Sequence, residues 1–243
     1  QLLYKMLRVS KADILHLHWL DRFVITQPYW KLALLFPAIV VQFTVLRGLG
    51  RRVVWTVHNL RGHEKQKPHL DWLLCTVVAW FAHRVIVHTR AAVPIVARHF
   101  LVRRSKIRVV RHGNYLSWYR SNISTRTARA ELGVPQSART LLFFGNIRPY
   151  KQVERLLAVF RSLPGSDFRL LVVGRPNTQH LKTRIVRRAS DDDRVIAKLS
   201  RVEDEDVQLY MRAADAMVLP YRDAFTSGAL VLAMGFGLPC VAP

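Results

Sequence analysis

Short apolar runs alternate along this chain with longer stretches in which apolar residues recur every three or four positions. An apolar run of four to six residues predicts a strand buried on both faces of a parallel sheet, and the longer spacing predicts an amphipathic helix. In the first half the pattern predicts strands over 13–17, 52–57, 84–88 and 107–110, with helices over 29–46, 69–82 and 91–100. In the second half it predicts strands over 141–144, 168–173, 195–199, 216–219 and 239–242. The helices there fall over 153–163, 178–189, 203–214 and 228–236, the third led by the acidic run EDED, which suits a helix N-terminus. Strand–helix alternation of this kind implies parallel sheets joined by right-handed crossovers.

Residues 116–138 are polar and rich in turn formers, with one short helix candidate over 124–132 stopped by Gly133 and Pro135. The expected organisation is therefore α/β, with two tandem Rossmann-like domains. A partial N-terminal domain spans 1–115, a connection 116–138, and a partial C-terminal domain 139–243. Strand ends facing each other across such a pair enclose a cleft, and ligands of these sheets bind at the C-terminal ends of the strands. The chain opens on Gln1 and closes on the strand-like CVAP, so it reads as a piece of a longer protein truncated at both ends.

Charge narrows the range of partners. The formal net charge is +22, of which residues 1–125 carry +16 and residues 126–243 only +6. A basic first half points to a polyanion: nucleic acid, an anionic membrane surface or a phosphate-bearing substrate. The cations are scattered, and no nucleic-acid-binding motif accompanies them, so nucleic acid is set aside as a partner. With half the residues hydrophobic and 22% charged, wholesale disorder is excluded. Cys75 and Cys240 sit in apolar runs without metal-ligand spacing and read as buried thiols of a reducing compartment. The apolar segment 29–46 is interrupted by Lys31, Pro37 and Gln42. It is expected to be a covered helix of the domain, with shallow insertion into one lipid monolayer as the rival reading. The acidic triplet 191–193 reads as a solvated loop, and no metal site is expected.

The chemistry concentrates in LLFFGNIRPYK, residues 141–151. Gly145 lets the chain turn tightly at a strand end, and Arg148 and Lys151 stand just before a helix whose N-terminal N–H groups are available to an anion. Two cations in that turn favour phosphate or diphosphate, although an ordinary strand–helix turn with two solvated cations would look the same. DAFTSG, residues 223–228, opens the last helix. The hydroxyls of Thr226 and Ser227, with the N–H groups from Gly228 onward, suit either phosphate binding or N-capping, and the two are compatible.

Taken in order, FFGNIRPYKQVERLL, FRLLVVGRP, DEDVQLYMRAADAMVLPY and TSGALVLAMGFGLPCVAP resemble the donor-side domain of GT-B nucleotide-sugar glycosyltransferases, close to the large family 4 (group 1). ADILHLHW, VVWTVHNLRGHE and RVIVHTRAA resemble the acceptor-side domain, and the WTVHN and TSGA features are similar to bacterial exopolysaccharide glycosyltransferases, including β-mannosyltransferases. The resemblance implies a GDP- or UDP-linked sugar as donor substrate, no further cofactor, and transfer to a hydroxyl of a lipid-linked or glycan acceptor. It implies a cytoplasmic location at the inner face of the cytoplasmic membrane, with the basic half in peripheral contact with anionic lipid. By the same resemblance Gly145, Arg148 and Lys151 line the diphosphate, Asp223 meets donor-sugar hydroxyls, and His58 faces the reacting sugar.

As a neutral imidazole His58 would take the acceptor's hydroxyl proton or hydrogen-bond the donor; the alternative is a structural role in its turn. Glu64 and Asp21 are the other candidate bases, each in a loop after a strand. His16 and His18 share one face of the first strand and read as packing residues, while His112 and Gly113 end the last strand of the first half. Two departures stand out. Asn146 occupies a position where many members carry arginine, and Leu232 replaces the second of two glutamates, which leaves the ribose contact unassigned. Other readings of the same pattern are a non-catalytic relative that binds glycan or scaffolds a complex, an epimerase on the same fold, and a basic nucleic-acid-binding protein.

Overall fold

A computed structural model describes residues 13–20, 27–60 and 67–243. They form two compact units that divide after His112. In the first, strands β1 (Ile14–Leu17), β2 (Arg52–Thr56), β3 (Arg84–Val87) and β4 (Ile107–Val109) form a parallel sheet in sequential order. Helices α1 (Tyr29–Gly48), α2 (Pro68–Phe81) and α3 (Ala92–His99) connect them. Val53, Trp55, Val85 and Val87 are buried, and the Trp55 ring meets Phe100 edge-on at 5.1 Å. That burial fixes the register Leu17↔Trp55, which brings the residues following β1 and β2 to the same edge of the sheet.

The second unit contains α4 (Thr125–Glu131), β5 (Arg139–Phe144), α5 (Val153–Arg161), β6 (Phe168–Val173), α6 (Gln179–Ala189), β7 (Val195–Lys198), α7 (Val207–Ala213), β8 (Ala216–Val218), α8 (Gly228–Gly235) and β9 (Cys240–Val241). Its sheet is parallel in the order β7-β6-β5-β8-β9. Chain order therefore reverses at β5: the strands first step outward through β6 and β7, then return to its other side with β8. Open α/β sheets bind ligands beyond the strand ends at such a reversal. Leu142, Phe143, Leu170, Leu171 and Val172 are fully buried, which accounts for the unbroken apolar runs of β5 and β6.

Residues 116–138 are part of this second unit. Ala128, Val134 and Ala138 lie in its core, and the buried Arg129 donates to the carbonyls of Ala213 and Gln136 and to Asp215, whose carboxylate also accepts from the Thr140 N–H.

Two elements differ from expectation. The acidic run before α7 is a turn at 204–206, held by the Trp118 indole donating to Asp204 at 3.2 Å, and the helix begins only at Val207. Helix α1 is not covered: it buries only Leu32, Phe43 and Leu46, while Tyr29, Trp30, Leu34, Val41 and Val45 are exposed. Apolar residues surround α1 on every side, so its sequence marks no single face for the core. Cys75 is buried and Cys240 half-buried.

Candidate functional site

At the end of β5 the chain turns at Gly145, whose φ of 113° lies where glycine is favoured. The end of β6 packs directly on it. Gly174 has φ 141°, and a Cβ there would fall 2.0 Å from the Gly145 carbonyl oxygen, so no side chain fits between the two strand ends. The turns interlock further: Ile147 N–H donates to Arg175 O at 2.9 Å, and Asn177 N–H donates to Ile147 O at 3.0 Å.

The chain then enters a single 3-10 turn, Pro149–Lys151, which swings the Lys151 ammonium back over Gly145. Its Nζ would lie 3.5 Å from a Gly145 Cβ. It also sits over the Tyr221 ring at 4.9 Å and near the Phe143 ring at 5.9 Å. No carboxylate pairs with Lys151 among the described residues. Burial, and secondarily the neighbouring Arg148 cation, lowers its pKa to about 8. The result is an ammonium held in a partly desolvated aromatic corner with no paired carboxylate among the described residues.

Gln152 follows in the left-handed region at φ 53°, and its side chain does not cap α5. The first-turn N–H groups of α5 thus point away from the helix without a side-chain cap. Glu154, the one acid in that first turn, is held by α6: Arg184 grips it through two bonds of 2.6 and 2.9 Å. An anion placed beside this turn would meet the positive end of α5.

The 223–228 loop is tied to this turn by Arg222 N–H donating to Tyr150 O at 2.9 Å. Ser227 is the N-cap of α8, its hydroxyl accepting from Leu230 N–H at 3.2 Å. Its side chain therefore caps the helix, the simpler of the two expected roles. Gly228 is closely approached, with a Cβ there falling 3.2 Å from the Tyr115 hydroxyl. Asp223 is exposed and Thr226 half-buried on the same loop, and Leu232 is buried in the core. Beyond β6 and β7 lies a cavity of about 440 Å³ whose lining includes Arg175, Asn177, Thr178, Lys182, Ser200 and Arg201.

The corresponding edge of the first unit is built from imidazoles. His18 follows β1, His58 lies two residues beyond β2, His88 follows β3 and His112 lies beyond β4. His18 Nδ1 and His58 Nε2 are 2.8 Å apart. The Trp19 indole stacks on His58 with centroids 4.4 Å apart and planes within 6°. His88 is 5.5 Å from His58 and 5.2 Å from His112. Burial lowers the His58 pKa to about 4, with further lowering from His18, His88, His112 and His16 in that order. His58 is therefore neutral at physiological pH. His16 hydrogen-bonds Thr56 at 2.8 Å, and His16 and His18 are both exposed, so neither is buried packing as expected.

Of the expected site residues, Gly145, Arg148 and Lys151 come together in one turn, with the loop carrying Asp223, Thr226, Ser227 and Gly228 bonded to it. His58 belongs to the first unit's edge. Glu64 and Asp21 lie outside the described residues. Gly174, Tyr221 and the cationic cavity were not singled out from the sequence. The glycine closing VVG was the visible signal for the first of these; the other two depend on contacts between distant segments. In the acidic loop, Asp192 is tied to Arg194 at 2.8 Å and Asp191 lies 3.5 Å from Arg161.

Comparison with known proteins identifies the surroundings of this site. Residues 138–243 match the family described as Glycosyl transferases group 1. A GDP-mannose:glycolipid 4-beta-D-mannosyltransferase of Xanthomonas campestris pv. campestris is 31% identical over 240 residues, spanning 97% of this chain and 62% of that protein. The chain thus spans about 62% of the length of that curated relative. Among solved structures, Anabaena HepE in complex with UDP and glucose superposes with a TM-score of 0.74 at 19% identity, over 99% of this chain and 62% of that one. Sucrose-phosphate synthase of Thermosynechococcus elongatus superposes with a TM-score of 0.73 at 19% identity, over 98% and 58%. The two parallel Rossmann-like sheets are those of the GT-B fold.

Proposed function

We propose, for a chain whose residues 138–243 match the group 1 glycosyltransferases, that the complete protein transfers a hexosyl group from a nucleoside-diphosphate donor to a hydroxyl of a glycolipid. In that reaction the bond between sugar C1 and the diphosphate oxygen breaks, a new bond joins C1 to the acceptor oxygen, and the diphosphate leaves with increased negative charge. Fixed cations and N–H groups stabilise such a leaving group with little reorganisation. The observation that carries the reading is the Lys151 ammonium, without a paired carboxylate among the described residues, poised over Gly145 at the reversal of strand order.

Arg148 and the first turn of α5 add positive potential at the same point. The cavity beyond β6 and β7 takes the nucleoside, and Asp223 meets the sugar hydroxyls. His58, kept neutral by its surroundings, receives the acceptor's hydroxyl proton or hydrogen-bonds the donor. The similarity to a GDP-mannose:glycolipid mannosyltransferase favours mannose as the sugar and GDP as the carrier.

The test is a titration of GDP-mannose, UDP-glucose and other nucleotide sugars against the full-length protein, followed by incubation of the tightest binder with lipid-linked glycan acceptors. Sugar transfer to a lipid-linked acceptor supports the reading. Absence of binding by any nucleotide sugar overturns it.

Helix α1 supports a membrane-side placement of this activity. It is twenty residues long and contains an eighteen-residue stretch with a mean hydropathy of 1.6, long and apolar enough by length and composition to cross a membrane. Tyr29 and Trp30 are exposed at its start, with Lys31 beside Trp30 and Lys67 over Tyr29. Aromatic and cationic side chains together suit a headgroup interface. Co-sedimentation with vesicles containing phosphatidylglycerol, weakened by Trp30→Ser with Leu34→Ser, is the expected result. Equal recovery of wild type and variant with vesicles would contradict this placement.

A further inference from the structure

The imidazole edge of the first unit contains a contact that a packing role does not require. His18 Nδ1 and His58 Nε2 lie 2.8 Å apart, a distance that calls for one shared hydrogen. In a neutral pair only one of these two nitrogens carries it, so the tautomers of the two rings are a single choice. When His58 is the donor, its Nδ1 holds the lone pair. When His18 is the donor, His58 Nδ1 carries the hydrogen. Whichever way His18 is set, the chemical character of the other side of His58 is set with it.

Trp19 restricts the same ring in a second way. It adopts φ 48°, a left-handed conformation that a bulky side chain rarely takes. The consequence of that backbone turn is the near-parallel stack of the indole on His58 at 4.4 Å. Trp19 nevertheless remains 48% exposed, so burial of its own surface does not account for the conformation. His88 closes in on another side at 5.5 Å and is itself anchored through Nδ1 to Val110 O at 2.9 Å. His58 is therefore restrained in rotation by stacking and in tautomer by a hydrogen bond, both supplied by consecutive residues following β1.

We propose that His18 and Trp19 are positioning residues for His58, His18 setting which ring nitrogen carries the proton and Trp19 holding the plane of the ring. This inference rests on the reading of His58 as the acceptor-side catalytic group, and it deepens that reading. Among the described residues, the titratable groups facing His58 include His16 and His18 on β1 and its exit, His88 after β3 and His112 after β4.

The experiment compares His58→Ala, His18→Ala, His18→Asn, Trp19→Ala and Trp19→Phe in the full-length protein. It measures transfer kinetics against pH, donor Kd and thermal stability. His18→Ala is expected to lower kcat by roughly tenfold to a hundredfold, the scale of a misoriented catalytic group, with donor Kd unchanged. His18→Asn, whose amide reaches the position of Nδ1, is expected to restore a large part of that loss. Both His18 variants remove a cationic neighbour on acidification, so the acid limb of kcat/KM moves to higher pH. Trp19→Phe is expected to retain turnover that Trp19→Ala loses.

If His58→Ala keeps full turnover, the reading of His58 fails and the positioning proposal falls with it. If His58→Ala abolishes turnover while His18→Ala alters neither kcat nor the acid limb, only the positioning proposal is overturned. The same holds if His18→Ala and His18→Asn fall equally, with matching losses of thermal stability and an unmoved acid limb; the contact is then structural.

Discussion

Beyond β5 and β6 the site is made mainly by backbone: two glycines in mutual contact, helix N–H groups, and one lysine folded back over them. Beyond β1 to β4, among the described residues, Trp19 alone takes a left-handed backbone, and side chains supply the chemistry, as imidazoles bonded or stacked on one another. Both edges end parallel strands of similar sheets, so the sheet itself does not decide what is bound. The second edge offers positive charge able to stabilise an anion, and the first offers imidazoles able to hold or accept a proton. The difference teaches that two similar parallel sheets can end in edges of different chemistry, one a focused cation and the other a row of imidazoles. The unit carrying the smaller net charge holds the focused cation, whereas the more basic unit holds His58 neutral at its edge.

The sharpest way to break this contrast is through the glycines. Gly174→Ala places a Cβ 2.0 Å from the Gly145 carbonyl oxygen at a φ that disfavours side chains. A loss of about 3 kcal/mol or more is expected, read as a lower melting temperature and loss of nucleotide binding. Gly48→Ala, where a Cβ meets nothing within 4 Å, is the control and should be nearly neutral. Equal thermal stability of the two variants would show that the backbone contact is dispensable.

A smaller effect is expected from Arg129→Met. The guanidinium is buried, but its partner Asp215 is about half exposed, so water relieves part of the loss. We expect about 1–3 kcal/mol of destabilisation of the second unit. A change within 0.5 kcal/mol by denaturant titration would mean that 116–138 contributes little to that unit.

The smallest effect is a pH dependence confined to the first unit. The folded pKa of His58, about 4, lies below its unfolded value near 6.5. Between those values the unfolded chain binds more protons, so stability falls as pH drops from about 6.5 to 4 and is unaffected by this group above that window. His58→Gln should flatten that slope when unfolding is followed across the window. An unchanged slope would mean that His58 titrates normally in the folded protein.

Much of the architecture was legible in the sequence because parallel strands buried on both faces leave unbroken apolar runs, as in LLFF and LLVV. The Gly145 turn was legible for a local reason: Gly145, Arg148 and Lys151 lie within seven residues of one another. What stayed hidden depends on contacts between distant segments. Gly174 reads as the end of a strand until the Gly145 backbone is seen against it, and Tyr221 as an ordinary aromatic until Lys151 sits over its ring. Alternation placed His16 and His18 on one face but said nothing of their neighbours. The register of β1 on β2 brings His18 to His58 across forty residues. The acidic run before α7 was misleading because it suits a helix N-terminus and a turn equally well.

The central claim is that Lys151 at the Gly145 turn recognises the diphosphate of the donor. Isothermal titration of GDP and GMP against full-length wild type and Lys151→Met tests it most directly. The account predicts that the variant loses about 2–3 kcal/mol toward GDP, roughly a hundredfold in Kd, with little change toward GMP, so that the preference for diphosphate largely disappears. Equal weakening of both ligands, or unchanged binding of GDP, would contradict it.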